Sequence, residues 1–203
     1  LESLSLADNP LRRLDDGVAR LQRLTRLEMR NCQLVELPDA LFALQRLETL
    51  LAAHNELTAL SPRVAQLTRL DTLNLAHNRL QTLPPHLMRA RALVHLFLVH
   101  NALLSLPAAL GALPRLRFVN LDRTAVSLLP AAWGRPDGSV TELHAQQCNL
   151  THPLFRPDPA GGGEGALSSR LEIIEVPGNP RLGAAWLWRA AAANATAPCC
   201  APP

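Results

Sequence analysis

The chain has 203 residues, 48% hydrophobic and 18% charged, a balance typical of folded, soluble proteins and not of disordered ones. All twenty basic residues are arginine, which excludes a P-loop lysine, a Schiff-base lysine and a kinase-type lysine–glutamate pair within this segment. A net charge of +3 over this length is too mild to point to nucleic acid, and no run approaches the roughly 18 unbroken apolar residues of a membrane span.

The predicted elements begin at the first residue. The segment LESLSLADNPLRRL sets Leu1, Leu4, Leu6, Asn9, Leu11 and Leu14 in a frame that returns at Leu24, Leu47, Leu70, Leu93 and Leu116, always at the same interval. Its clearest copy holds Leu70, Leu73, Leu75, Asn78, Leu80, Leu83 and Pro84; a seventh copy starts at Val140 and a looser eighth at Leu171. The alternation across Leu73, Asn74 and Leu75 predicts a short strand with one buried face, and the wider steps from Leu80 to Leu83 and Leu87 predict a turn or short helix. Each unit presents a leucine row that it cannot bury alone, so stacking of units must close the core.

This frame, LxxLxLxx(N/C)xL, resembles that of the leucine-rich repeat family over residues 1–182. The second half of each unit, LPxxLxxL as at Leu37, Pro38, Leu41 and Leu44, resembles the repeats of intracellular Ras-group-related and Scribble-like proteins. The resemblance implies an α/β horseshoe solenoid, with a concave parallel β-sheet and short helical or 3-10 turns on the convex side. It also implies an interaction module.

The ninth position of the frame explains two cysteines. Asn9, Asn55, Asn78 and Asn101 should form a ladder of side-chain amides that satisfies backbone groups where the strand turns away, and Cys32, Thr124 and Cys148 fill the same slot. Both thiols are therefore expected to be inert. No capping unit precedes Leu1, so Leu4, Leu6, Leu11 and Leu14 should present an apolar edge, as in a fragment of a longer chain. An irregular insert over 153–169, rich in Pro and Gly, interrupts the seventh unit; it reads as a loop, because no lysine follows its glycines to hold a phosphate. Residues 183–203 read as a capping helix carrying Trp186 and Trp188, then a tail ending near Cys199 and Cys200. Sequons stand at Asn149 and Asn194, but a cytoplasmic setting is favoured and an extracellular one stays open.

The candidate site follows from strand alternation. Slots three, five and seven of each frame point out of the sheet, where polar residues are expected, yet this surface carries His95, Phe97, Val99 and Phe118, with Leu51 farther along. His54, His77 and His100 precede three ladder residues and should form a column with about 4.8 Å between strands, fanned apart at the strand ends. A polar surface column, not a metal site, is the expectation there. Arg23, Arg46, Arg69 and Arg115 should form a solvated rim paired to residues such as Glu48 and Asp71. No two carboxylates flank an enclosed pocket, and His95 and His144 have no Ser or Cys partner, so no catalytic set emerges.

The sequence therefore predicts a non-enzymatic module or signalling scaffold without cofactor or metal. Its protein partner is expected on the concave face at Leu51, His54, His77, His95, Phe97, Val99, His100, Phe118, Asn120 and Arg123. The alternatives are the recognition arm of a larger kinase, GTPase or ubiquitin ligase, or a fragment of an extracellular receptor. Oligomeric state is left open.

Overall fold

The computed structural model describes residues 1–135, 137–151 and 171–182. The insert over 153–169, the capping helix with Trp186 and Trp188, Cys199, Cys200 and the sequon at Asn194 lie outside the described residues. Among the described residues eight short strands form one parallel sheet in sequence order. They are β1 (Ser3–Ser5), β2 (Arg26–Glu28), β3 (Thr49–Leu51), β4 (Thr72–Asn74), β5 (His95–Phe97), β6 (Phe118–Asn120), β7 (Glu142–His144) and β8 (Ile173–Glu175). Register follows the sequence frame: Leu4 pairs with Leu27, Leu27 with Leu50 and Leu96 with Val119, each partner holding the same slot of the next unit. Val119 pairs with Leu143 and Leu143 with Ile174, so the longer sixth and seventh units keep the strands aligned and take up their extra residues elsewhere.

Behind the sheet, six 3-10 turns among the described residues return the chain: Asp16–Arg20, Asp39–Ala43, Pro62–Gln66, Pro85–Arg89, Ala108–Ala112 and Ala131–Gly134. Proline starts most of them, because its fixed φ suits the entry and it has no N–H to leave unpaired. Pro38, Pro84, Pro107 and Pro130 sit at the N-caps, and Pro62 follows the Ser61 cap. Each turn drives apolar side chains inward, from Val18 through Leu41, Val64, Leu87 and Leu110 to Trp133.

The core is the stack of leucine rows. Met29, Ala52, Leu75, Leu98 and Leu121, at the sixth position of successive units, are fully buried in one cluster. Leu6, expected in the same column, is only half-buried, because among the described residues no unit covers its outer side, and Leu1 and Leu11 are exposed. At about 1.5–3 kcal/mol for each fully buried aliphatic side chain, the interior repeats gain what the first one forgoes.

The ladder forms as its spacing predicts. Asn78 Oδ1 accepts from the backbone N–H of Leu57 at 3.0 Å, and its amide donates to the carbonyls of Ala52 and Leu75. Asn55 and Asn101 repeat this, and Asn179, in the eighth unit, does the same for Leu150 N–H and Ala145 O. Cys32 and Cys148 stand in the ladder, each with its thiol against backbone carbonyls, and burial pushes both thiols up.

One residue earlier, the chain turns sharply out of each strand in the left-handed region. Asp8, Asn31, His54, His77, His100, Arg123 and Gln147 all have φ between 52° and 61°, and Gly178 has 75°. Glycine adopts this without strain, and Asn, Asp and His tolerate it better than most residues.

Candidate functional site

In most of the strands the middle residue is buried while its neighbours lean outward, so slots three and five line the concave surface. The parallel register sets His95, Phe118 and Glu142 side by side in one row and Leu51, Asn74, Phe97, Asn120 and His144 in the next. Phe118 is the hub. Its ring centroid lies 4.9 Å from that of Phe97, 5.3 Å from His144 and 6.3 Å from His95, all tilted contacts. Diagonal neighbours on adjacent strands meet in this way, and an aromatic pair adds about 0.5–1.5 kcal/mol beyond its buried area. Phe97 and Phe118 are half-buried and His95 is exposed, its Nδ1 3.4 Å from Thr72 Oγ1. Leu51 does not join them, since Asn74 stands between it and Phe97. Asn120 shares the surface but turns its Oδ1 to accept from Asp122 N–H at 2.9 Å.

His144 is held at both nitrogens. Nε2 lies 2.7 Å from Glu142 Oε1 and Nδ1 lies 2.9 Å from Glu175 Oε2. Burial opposes charge on this ring, but the two carboxylate bonds outweigh it and hold the imidazole above the ordinary histidine range. The doubly donating imidazolium is the form that satisfies both partners.

The second group runs along the strand ends. His54, His77 and His100 do not fan apart as expected; their rings stack, with centroids 4.2 and 4.5 Å apart and planes 9° and 25° from parallel. The common left-handed backbone, repeated at the same register, sends the three side chains out in one direction. Arg123 extends the column, with Nη1 2.8 Å from His100 Nε2 and Nε donating to Gln147 Oε1 at 2.9 Å. A guanidinium only donates, so His100 accepts at Nε2 and carries its proton at Nδ1. Desolvation, then His54, His100 and Arg123, hold His77 below the ordinary histidine range. Stacked imidazoles direct their lone pairs in parallel instead of converging on one point. Among the described residues no group of three or more His, Cys, Asp or Glu is arranged to hold a metal ion.

An open depression of about 330 Å³ lies beside the histidine column, bordered by His77, Val99, His100, Asp122, Arg123, Gln146 and Gln147. At the opposite strand ends Arg23 pairs with Glu2 at 3.3 Å. The pairing expected for Glu48 and Asp71 is not found among the described residues; both instead offer backbone carbonyls to the next strand. The sequence reading brought His95, Phe97 and Phe118 together correctly as neighbours, and it passed over Glu142, Glu175 and the binding potential of His144. The frames starting at Val140 and Leu171 give each residue its slot but not the meeting of the two acids across units of unequal length, and a search for outward aromatics gave no reason to stop at carboxylates.

Comparison with known proteins agrees with the geometry. The leucine-rich repeat family model matches residues 46–103 and 68–126. No curated protein matches the chain in sequence. Among solved structures, a leucine-rich repeat protein of Leptospira interrogans is similar at 26% identity and a TM-score of 0.74, over 90% of this chain and 43% of that one. The ectodomain of the Arabidopsis thaliana receptor kinase GASSHO1/SCHENGEN3, solved in complex with Casparian strip integrity factor 2, gives 21% identity and a TM-score of 0.71, over 90% of this chain and 21% of that one. The functional domain of InlJ from Listeria monocytogenes, which includes a cysteine ladder, gives 22% identity and a TM-score of 0.70, over 90% and 36%. The chain thus spans less than half the length of each of these proteins.

Proposed function

Because the chain is a leucine-rich repeat solenoid, a fold that generally serves as a non-enzymatic interaction scaffold, we propose that it binds a protein partner on its concave face around Phe97 and Phe118. The observation that carries this reading is the outward aromatic cluster, in which two phenylalanines 4.9 Å apart sit on adjacent strands where polar residues would serve solubility better. A stacked sheet holds these rings rigidly, so little ordering entropy is lost when a partner docks. Leu51, His54, His77, His95, Val99, His100, Asn120 and Arg123 form the surrounding surface, the histidine column and Arg123 supplying polar contacts at one edge. No helix among the described residues is long and apolar enough to cross a membrane.

A photo-crosslinking residue at position 97 or 118 tests the reading, with position 104, in the connection that follows β5, as control; Leu104 is 66% exposed. Crosslinks to one partner from 97 and 118 are expected. Crosslinks to that partner from 104 alone would refute it.

A further inference from the structure

Glu142 and Glu175 come from the adjacent strands β7 and β8, and both lean onto the one imidazole of His144. In each carboxylate a single oxygen does the work: Glu142 Oε1 takes one ring nitrogen, and Glu175 Oε2 takes the other together with Gln146 Nε2. The remaining oxygens, Glu142 Oε2 and Glu175 Oε1, have no hydrogen bond among the described residues. The two carboxylate side chains are 37% and 45% exposed while that of His144 is 18% exposed, so the acids reach the surface above a sheltered ring. Two negative charges against one positive leave an excess negative charge. It lies beside Phe118, which pairs with Glu142 in register and whose ring centroid is 5.3 Å from that of His144.

We propose that Glu142 and Glu175 anchor a cationic side chain, guanidinium or ammonium, carried by an extended segment of the protein partner and laid against Phe118, with the His144 imidazolium standing in for that cation while the site is empty. The proposal rests on the concave face being the binding surface and adds the chemistry of what is bound there. Three features support it. The unused carboxylate oxygens are the acceptors a guanidinium fork or an ammonium needs. An aromatic wall adds a cation–π contribution. Among the described residues no arginine pairs with either carboxylate: Arg117, just before β6, donates its Nη1 to the Ser139 carbonyl at 3.4 Å.

The arrangement makes binding depend on pH. The charged groups on His144 are Glu142 on its own strand and Glu175 on β8; Phe118 and its register partner Asn120 flank it on β6, with Asp122 beyond the end of that strand and Glu172 just before β8. Asp122 Oδ1 is itself occupied by Gln146 N–H. A neutral imidazole has one N–H to donate, so loss of its proton frees one carboxylate for the partner's cation. Proton and cation compete, and affinity rises with pH through the titration of His144, with a limiting slope of about tenfold per pH unit.

The test uses NMR titration of the whole chain with three blocked heptapeptides, alike except for a central arginine, norleucine or glutamate. Expected are shifts at Phe118, Glu142, His144 and Glu175 with the arginine peptide, and binding about tenfold or more tighter at about pH 8 than at about pH 5.5. Glu175→Gln and Glu142→Gln should weaken that binding, the glutamate peptide should leave these residues unmoved, and His144→Gln should flatten the pH dependence. An arginine peptide that leaves Glu142 and Glu175 unshifted, or binds wild type equally at both pH values, overturns the proposal. If the norleucine peptide still moves Phe97 and Phe118, the concave reading survives that failure. Shifts confined to residues off the strands, such as Leu104, overturn both.

Discussion

Replacing Thr124 by asparagine should make the protein more stable. In the intact rungs, an asparagine of one unit accepts a backbone N–H of the unit before it, as Leu34 N–H to Asn55 at 2.9 Å and Leu80 N–H to Asn101 at 3.0 Å. Its amide also reaches a carbonyl of that earlier unit, as Asn101 Nδ2 to Leu75 O at 2.9 Å. Thr124 is too short for either bond; its hydroxyl donates to Leu121 O, at 2.8 Å, within its own unit and meets Cys148 Sγ of the following unit at 3.4 Å. Leu103, wholly buried, is left with no acceptor for its N–H among the described residues. A buried unpaired donor costs about 1–3 kcal/mol, and ordering the new side chain takes back part of the gain, so Thr124→Asn should add about 1–2 kcal/mol. For a chain of this size that raises Tm by about 2–8 °C. Asn78→Thr makes the reverse change, orphaning Leu57 N–H without adding volume, and should lose about 1–3 kcal/mol. Urea titration of both variants, read by circular dichroism with equal m-values, gives the comparison. A neutral Asn78→Thr together with an unimproved Thr124→Asn would show that the ladder does not stabilise the stack.

The open first repeat should exchange its amide protons fastest: Leu4 and Leu6 are half-buried while Leu73 and Leu75 are fully buried, and hydrogen-exchange mass spectrometry should find β1 far less protected than β4. Equal protection would mean that something covers Leu6. Burial pushes the thiols of Cys32 and Cys148 up, so iodoacetamide at neutral pH should leave both unmodified until denaturant is added, as peptide mapping would show. His77 is held below its unfolded value, so the folded protein binds fewer protons there than the unfolded chain; its contribution is intact above the ordinary histidine range and is lost as pH falls through it. An NMR titration placing His77 at or above the free-histidine value would contradict the stacked column.

Much of the fold was legible because the repeat is a packing rule written in sequence. A leucine that must be buried at every return of the frame fixes strand register, the sheet order and the slots that face outward, which is why Phe97 and Phe118 could be placed together before any geometry was known. The histidine column was only half legible. Position in the frame puts His54, His77 and His100 in line, but their stacking depends on a left-handed φ that a consensus does not display. The Glu142–His144–Glu175 cluster was hidden for another reason. Its two acids belong to units of unequal length, so their meeting depends on how the sheet absorbs the extra residues of the seventh unit.

The most direct test of the concave-face reading is to measure partner affinity and folding stability together for Phe97→Ala and Phe118→Ala. Both rings are half-buried and touch each other, so each truncation should lower stability by about 1–2 kcal/mol, below the roughly 3–5 kcal/mol of a core phenylalanine. Affinity for a partner captured by the intact chain should fall by about thirtyfold or more, as loss of about 2 kcal/mol requires. Unchanged affinity in both variants would move the site off this surface, and a core-sized loss of stability would mean that the rings support the fold instead of a partner.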